Sequence, residues 1–164
     1  MQEKILITGA GGQLGSVLTM KLQEKFGVDH VIATDLYSKI GFSGHFETLD
    51  ATDYQKLESI VIKYSITQIY HLAAILSANG EKTPVKTWDL NMKTLINVLE
   101  ISRIQGLNKV FYPSSIAVFG ANAPKDNTSQ DQFLLPSTVY GMSKVAGENW
   151  VNYYYTKYGL DVRS

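Results

Sequence analysis

The sequence predicts an α/β domain built on a doubly wound parallel sheet. Short apolar runs alternate with longer segments of helical periodicity along the whole chain of 164 residues. A cluster of glycines separates the first apolar run from the first helical one.

"KILITG" (4–9) is a buried strand that opens into a glycine-rich turn. Residues 13–26 follow as a helix, with Leu14, Val17, Leu18, Leu22 and Phe26 as its apolar stripe. "HVIATD" (30–35) is the second strand, and "HFETLD" is strand-like after it. Residues 53–64 are helical, with Leu57, Ile60, Val61 and Tyr64 on one side. "QIYHLAA" (68–74) is a strand, and 85–105 is a long helix whose stripe is Trp88, Met92, Leu95, Ile96 and Leu99. "KVFYPSS" (109–115) is a strand, and 120–137 is a loop of small and polar residues. The last helix covers 138–158, and "LDVRS" begins a further strand. Such alternation implies right-handed βαβ crossovers and a parallel sheet covered on both faces.

Composition narrows the function. Formal net charge is zero, which gives no push toward nucleic acid or an acidic membrane surface. There is no cysteine, so neither disulfides nor thiolate zinc sites arise, and His30, His45 and His71 lack ligand spacing, so no metal is expected. No apolar run approaches the roughly 18 residues that a membrane span requires, and a cytoplasmic location is the expectation.

"ITGAGGQLG" places Gly9, Gly12 and Gly15 in a GxxGxxG pattern between a strand and a helix. In a Rossmann-type sheet such glycines allow the tight turn, the approach of a pyrophosphate, and close strand–helix packing. The helix start at Gln13 and Leu14 supplies N–H groups and partial positive charge for phosphates. Asp35 ends the second strand, beside Leu36, where a carboxylate accepts hydrogen bonds from ribose hydroxyls and repels a 2′-phosphate. NAD is therefore the expected cofactor, and residues 1–164 are read as an NAD-binding domain.

"PSTVYGMSK" (136–144) sets Tyr140 four residues before Lys144, on one helix face. Tyr153 and Lys157 repeat the spacing, so spacing alone does not decide between the pairs. Ser115 ends the strand 109–115, and ligands in open parallel sheets bind beyond the carboxyl ends of strands. Asn91 falls on the inward stripe of the long helix, as a support for Lys144 or as a satisfied buried amide.

With the glycines, "HLAA" (71–74), "YPSSIAVFG" (112–120) and "YGMSK" (140–144) in order, the chain resembles the extended short-chain dehydrogenase/reductase superfamily, the NAD-dependent epimerase/dehydratase relatives. "LSANGEKTPVKTWDLNM" (76–92), "PSSIAVFG" and "PSTVYGMSK" look like its L-threonine 3-dehydrogenase branch. The resemblance implies NAD-dependent oxidation of L-threonine to 2-amino-3-ketobutyrate. Tyr140 would be the general base, Lys144 the cation beside it and the anchor of the nicotinamide ribose, and Ser115 the substrate-oxygen donor. A free tyrosine has a pKa of about 10, too high for an efficient base at neutral pH without such a cation. Asp50 and Ala51 resemble the adenine-contacting pair; Leu72, Ala73 and Ala74 the strand end along which the dinucleotide lies; Ser77 a substrate contact. Asn91 followed by "MKT" departs from the sugar epimerases, which place Gly-Thr there.

Enzymes of this resemblance are about twice as long, so the chain reads as the N-terminal part of a two-part enzyme with the C-terminal substrate half missing. Alone it is expected to be inactive. Two alternatives stay open: a nucleotide-sugar epimerase or dehydratase, and a dinucleotide-binding module without turnover. A homodimer through the helices at 85–105 and 138–158 is the expected assembly.

Overall fold

The computed structural model describes residues 3–37 and 43–164. Its strands are β1 (Ile5–Thr8), β2 (Val31–Asp35), β3 (His45–Thr48), β4 (Gln68–His71), β5 (Lys109–Phe111) and β6 (Val162–Arg163). The helices are α1 (Gln13–Phe26), α2 (Tyr54–Lys63), α3 (Ser77–Gly80), α4 (Pro84–Ile104) and α5 (Val139–Tyr158). Two 3₁₀ turns, Val28–His30 and Ile116–Val118, complete it.

The six strands form one parallel sheet in the order β3-β2-β1-β4-β5-β6. The chain winds outward from β1 to β3, returns to the other side of β1 as β4, and winds outward again. The switch of direction lies between β1 and β4, where such sheets open a crevice at their carboxyl ends.

Side chains of β1 alternate between two cores, as the period of a strand requires. Leu6 joins Ile32, Ile69 and Val110 under Leu57 of α2, Leu95 and Leu99 of α4 and Val151 of α5. Ile5 and Ile7 face the opposite way, with Val31 and Ala33, against Leu22 of α1. Burial of side chains such as Leu95 and Leu99 contributes roughly 1.5–3 kcal/mol each.

Local signals set the helix ends. The Thr138 hydroxyl accepts from the Gly141 amide at 3.0 Å, capping α5, and Gly159 ends it in the left-handed region at φ 68°. Asp53 caps α2 in the same way, accepting from Lys56 N at 3.0 Å.

Four expectations change. The strand expected over 68–74 ends at His71, and the Leu72 amide still reaches the Thr8 carbonyl at 3.0 Å. The strand over 109–115 stops at Phe111, two residues before Pro113, which has no N–H to give a ladder. Leu14 and Val17 are exposed on α1, because Gly15 is the residue of the first turn that meets the strand–turn backbone. Trp88 is likewise exposed, while Asn91 and Leu95 of the same helix are buried. Among the described residues no helix is long and apolar enough to cross a membrane.

Candidate active site

The glycine turn is built by contact. Gly9 adopts φ +74°, and a Cβ there would lie 2.7 Å from the Ala73 amide nitrogen. At Gly15 a Cβ would lie 2.2 Å from the Gly9 carbonyl oxygen. Gly12 is different. It precedes α1 at φ −70° with no side-chain cap, and a Cβ there would approach only the Gly9 carbonyl, at 3.3 Å. Its lack of a side chain leaves room in the crevice rather than in the protein's own packing.

Carboxyl ends of β1 to β4 enclose a cleft of about 240 Å³. Gly9, Gly12, Asp35 and Leu36 line one side of it, and Asp50 and Ala51 another. Leu72, Ala73 and Ala74 form the floor after β4. Nine of the expected cofactor residues thus meet in one space. Gln13, Leu14 and Gly15 lie in the first turn of α1, outside that lining. Asp35 accepts from the Gly11 amide at 2.7 Å through Oδ2 and from its neighbour Leu36 at 2.7 Å through Oδ1. The carboxylate therefore braces the glycine turn at the end of β2.

These residues fit an NAD. The uncapped helix start has no acidic residue in its first turn, Gly12 leaves an open approach, and Asp35 carries ribose-type acceptors.

The first two turns of α5, which carry Tyr140 and Lys144, pack on the segment after β5 that carries Ser115. A Cβ at Gly141 would lie 2.2 Å from the Ala117 carbonyl, so the first turn of α5 rests directly on the 3₁₀ turn that Ser115 caps. The amide of Val139 at the start of α5 donates to Glu81 at 2.8 Å. Lys144 is buried, 4% exposed. Its ammonium donates to the Pro113 carbonyl at 2.6 Å and stands 4.1 Å over the Tyr112 ring and 5.6 Å from the Tyr140 ring centroid. Burial pushes this lysine down to about 8, against the opposing charge of Glu148.

Asn91 is held rather than free. Its amide takes both polar groups of Ile75, accepting from the amide at 2.8 Å and donating to the carbonyl at 3.1 Å. It also donates to Ser143 Oγ at 3.2 Å, and Ser143 returns to the Tyr140 carbonyl at 2.7 Å. Ser77 opens α3 beside an open cleft lined by Ala74, Leu76, Asn79 and Lys86, without lining it.

Two further residues adjoin this centre. His71 is fully buried, bonded through Nδ1 to Thr8 Oγ1 at 2.7 Å and stacked 6.1 Å from Tyr112. Its Nε2 has no partner among the described residues, and burial pulls the ring down to about 3, so it is neutral. Glu148 accepts from the Ser114 hydroxyl. Its place four residues after Lys144 on one helix face is a signal the sequence already carried.

Known proteins share this fold. A GalE-like L-threonine dehydrogenase from Cupriavidus necator, in its holo form, superposes with a TM-score of 0.96 at 49% identity, over 98% of this chain and 53% of that one. A UDP-glucose 4-epimerase from Thermotoga maritima, with UDP-glucose, superposes with a TM-score of 0.89 at 26% identity, over 97% of this chain and 53% of that one. In sequence, an uncharacterized epimerase/dehydratase of Staphylococcus aureus (strain MRSA252) is 45% identical over 166 residues, 99% of this chain and 51% of that protein. The chain spans about half the length of the relatives it matches. A family model matches from the first residue of β1 to the last of the chain, residues 5–164, and the chain belongs to the NAD dependent epimerase/dehydratase family that it describes.

Proposed function

We propose that residues 1–164 form the NAD-binding domain and the Ser115–Tyr140–Lys144 centre of an L-threonine 3-dehydrogenase, which yields 2-amino-3-ketobutyrate. The observation that carries this reading is the difference in identity at nearly equal fold similarity: 49% to a threonine dehydrogenase against 26% to a sugar epimerase.

The chemistry follows from the residue types. Bound NAD⁺ supplies the acceptor for the hydride that leaves the carbinol carbon. Tyr140, as phenolate, takes the hydroxyl proton, so a C–H and an O–H bond break while the C=O forms. Lys144 opposes loss of the phenolate's charge by its proximity on the same face. Ser115 donates to the substrate oxygen and steadies negative charge as it develops. Asn91 positions the centre indirectly, through Ser143 and the Ile75 peptide. Leu72, Ala73, Ala74, Asp50 and Ala51 shape the cofactor cleft, and Asp35 favours NAD over NADP by charge. Ser77 is assigned to the substrate side. The parent protein is a homodimer through 85–105 and 138–158, a reading supported by Trp88, Ile104, Trp150, Tyr155 and Tyr158 standing exposed on these two helices.

The test is NADH absorbance with L-threonine, using the protein at its full natural length. Steady NADH accumulation supports the reading. Conversion of UDP-glucose without net NADH would overturn it in favour of an epimerase. The 164-residue chain alone is expected to bind NAD weakly without turnover.

A further inference from the structure

Two consecutive residues after β5 are each held by successive turns of α5. Pro113 gives its carbonyl to Lys144 at 2.6 Å, and Ser114 gives its hydroxyl proton to Glu148, one turn further on. The next residue is Ser115. Two residues beyond it, the Ala117 carbonyl abuts Gly141. The segment that carries Ser115 therefore meets the helix that carries Tyr140 at three levels, and Glu148 is the last of them. Glu148 is half-buried and lines a cleft together with Ser115, which is not the setting of a freely solvated helix carboxylate.

We infer that Glu148 is a positioning residue that joins the two sides of this centre: it grips Ser114 on the chain leaving β5, and it stands one turn after Lys144 on the same face of α5. The inference rests on the roles proposed for Ser115, Tyr140 and Lys144. Titratable groups around Lys144 are His71 from β4, Tyr112 just after β5, and Tyr140 and Glu148 from α5. Glu148 is the carboxylate among them. It opposes the burial that draws the proton off Lys144.

Two functions of one side chain can be separated by substitution. Glu148→Gln keeps an acceptor for Ser114 and removes the charge. Ser114→Ala removes the bond and keeps the charge. The protein at its full natural length is labelled with [ε-13C]lysine, and Lys144 is assigned by Lys144→Met and titrated by NMR. In Glu148→Gln the Lys144 midpoint should fall by about half to one pH unit. In Ser114→Ala it should stay, while the Ala117 amide, bonded to Ser115 Oγ, exchanges with solvent roughly tenfold faster. With L-threonine, Ser114→Ala and Glu148→Ala should lower kcat about tenfold at nearly constant KM for NAD, and Glu148→Gln should recover most of the loss at a pH below its own Lys144 midpoint. Unchanged kcat in Glu148→Ala, or an unmoved Lys144 midpoint in Glu148→Gln, overturns the inference. If the wild type does not oxidise L-threonine, the proposed substrate is wrong. The midpoint and the Ala117 exchange rate then decide the positioning role: both moving as stated upholds it, and either failing to move overturns it.

Discussion

Lys157 donates to the Tyr153 phenol oxygen at 2.5 Å, whereas Lys144 lies 5.6 Å from the Tyr140 ring centroid and donates to the Pro113 carbonyl instead. The pair in direct contact is the one on the surface. The Lys157 hydrogen bond holds the Tyr153 phenol below its ordinary range, but both groups are exposed and water screens them. Tyr140 instead adjoins a buried lysine. Tyr140→Phe should lower kcat by on the order of 10²-fold or more, and Tyr153→Phe should leave it within about twofold. Steady-state kinetics of both variants checks this; equal losses would move the centre elsewhere.

Glycines 12 and 15 should separate binding from folding. Gly15→Ala drives a methyl into the Gly9 carbonyl and the Ala10 backbone, which cannot yield as a side chain would. We expect a loss of about 2–3 kcal/mol in urea unfolding. Gly12→Ala sits at an ordinary φ with one contact at 3.3 Å. Its stability should change by less than about 0.5 kcal/mol, while NAD affinity by calorimetry falls at least roughly tenfold.

Lys144 should cost stability at neutral pH. Its folded value of about 8 lies below the ordinary 10.5, so the unfolded chain binds more protons between these limits and stability rises with pH across that window. Lys144→Met should stabilise the protein at pH 7 by about 1–2 kcal/mol, less than the full linkage because the bond to Pro113 is lost, and abolish turnover. Melting temperatures at pH 7 and 10 report the sign, and the advantage of the variant should shrink as pH rises.

His71 should govern the acid limb. Its folded value of about 3 against 6.5 means that its contribution is complete above 6.5 and is lost progressively as pH falls toward 3. His71→Asn offers Thr8 a comparable partner without a titrating ring. Its urea midpoint should decline less steeply than the wild type's between pH 6.5 and 4.5; parallel slopes would reject the assignment.

The fold was legible because its signals are short-ranged. β1, α1 and β2 follow from an apolar run, a glycine turn and a periodic segment, each complete within about twenty residues. The positions of Asp35 and Tyr140 were legible because each stands at a strand or helix end. Errors fell where a neighbour distant in sequence decides the outcome. Leu14 and Val17 have the right period for a buried stripe, yet Gly15 takes the place against Gly9 and Ala10. Nothing local to Trp88 distinguishes it from Leu95. The grip of Glu148 on Ser114 joins residues 34 apart, and no pattern within either segment announces it.

The clasp between Asn91 and Ile75 gives the crevice a built-in clock. Ile75 belongs to no strand, yet both its peptide groups are occupied by one buried amide of α4. Its N–H can trade its proton for deuterium only when helix and loop part, so its exchange lifetime measures how often the floor of the cofactor cleft lets go. A ligand bound along Leu72–Ala74 would lengthen that lifetime even before any chemistry occurs.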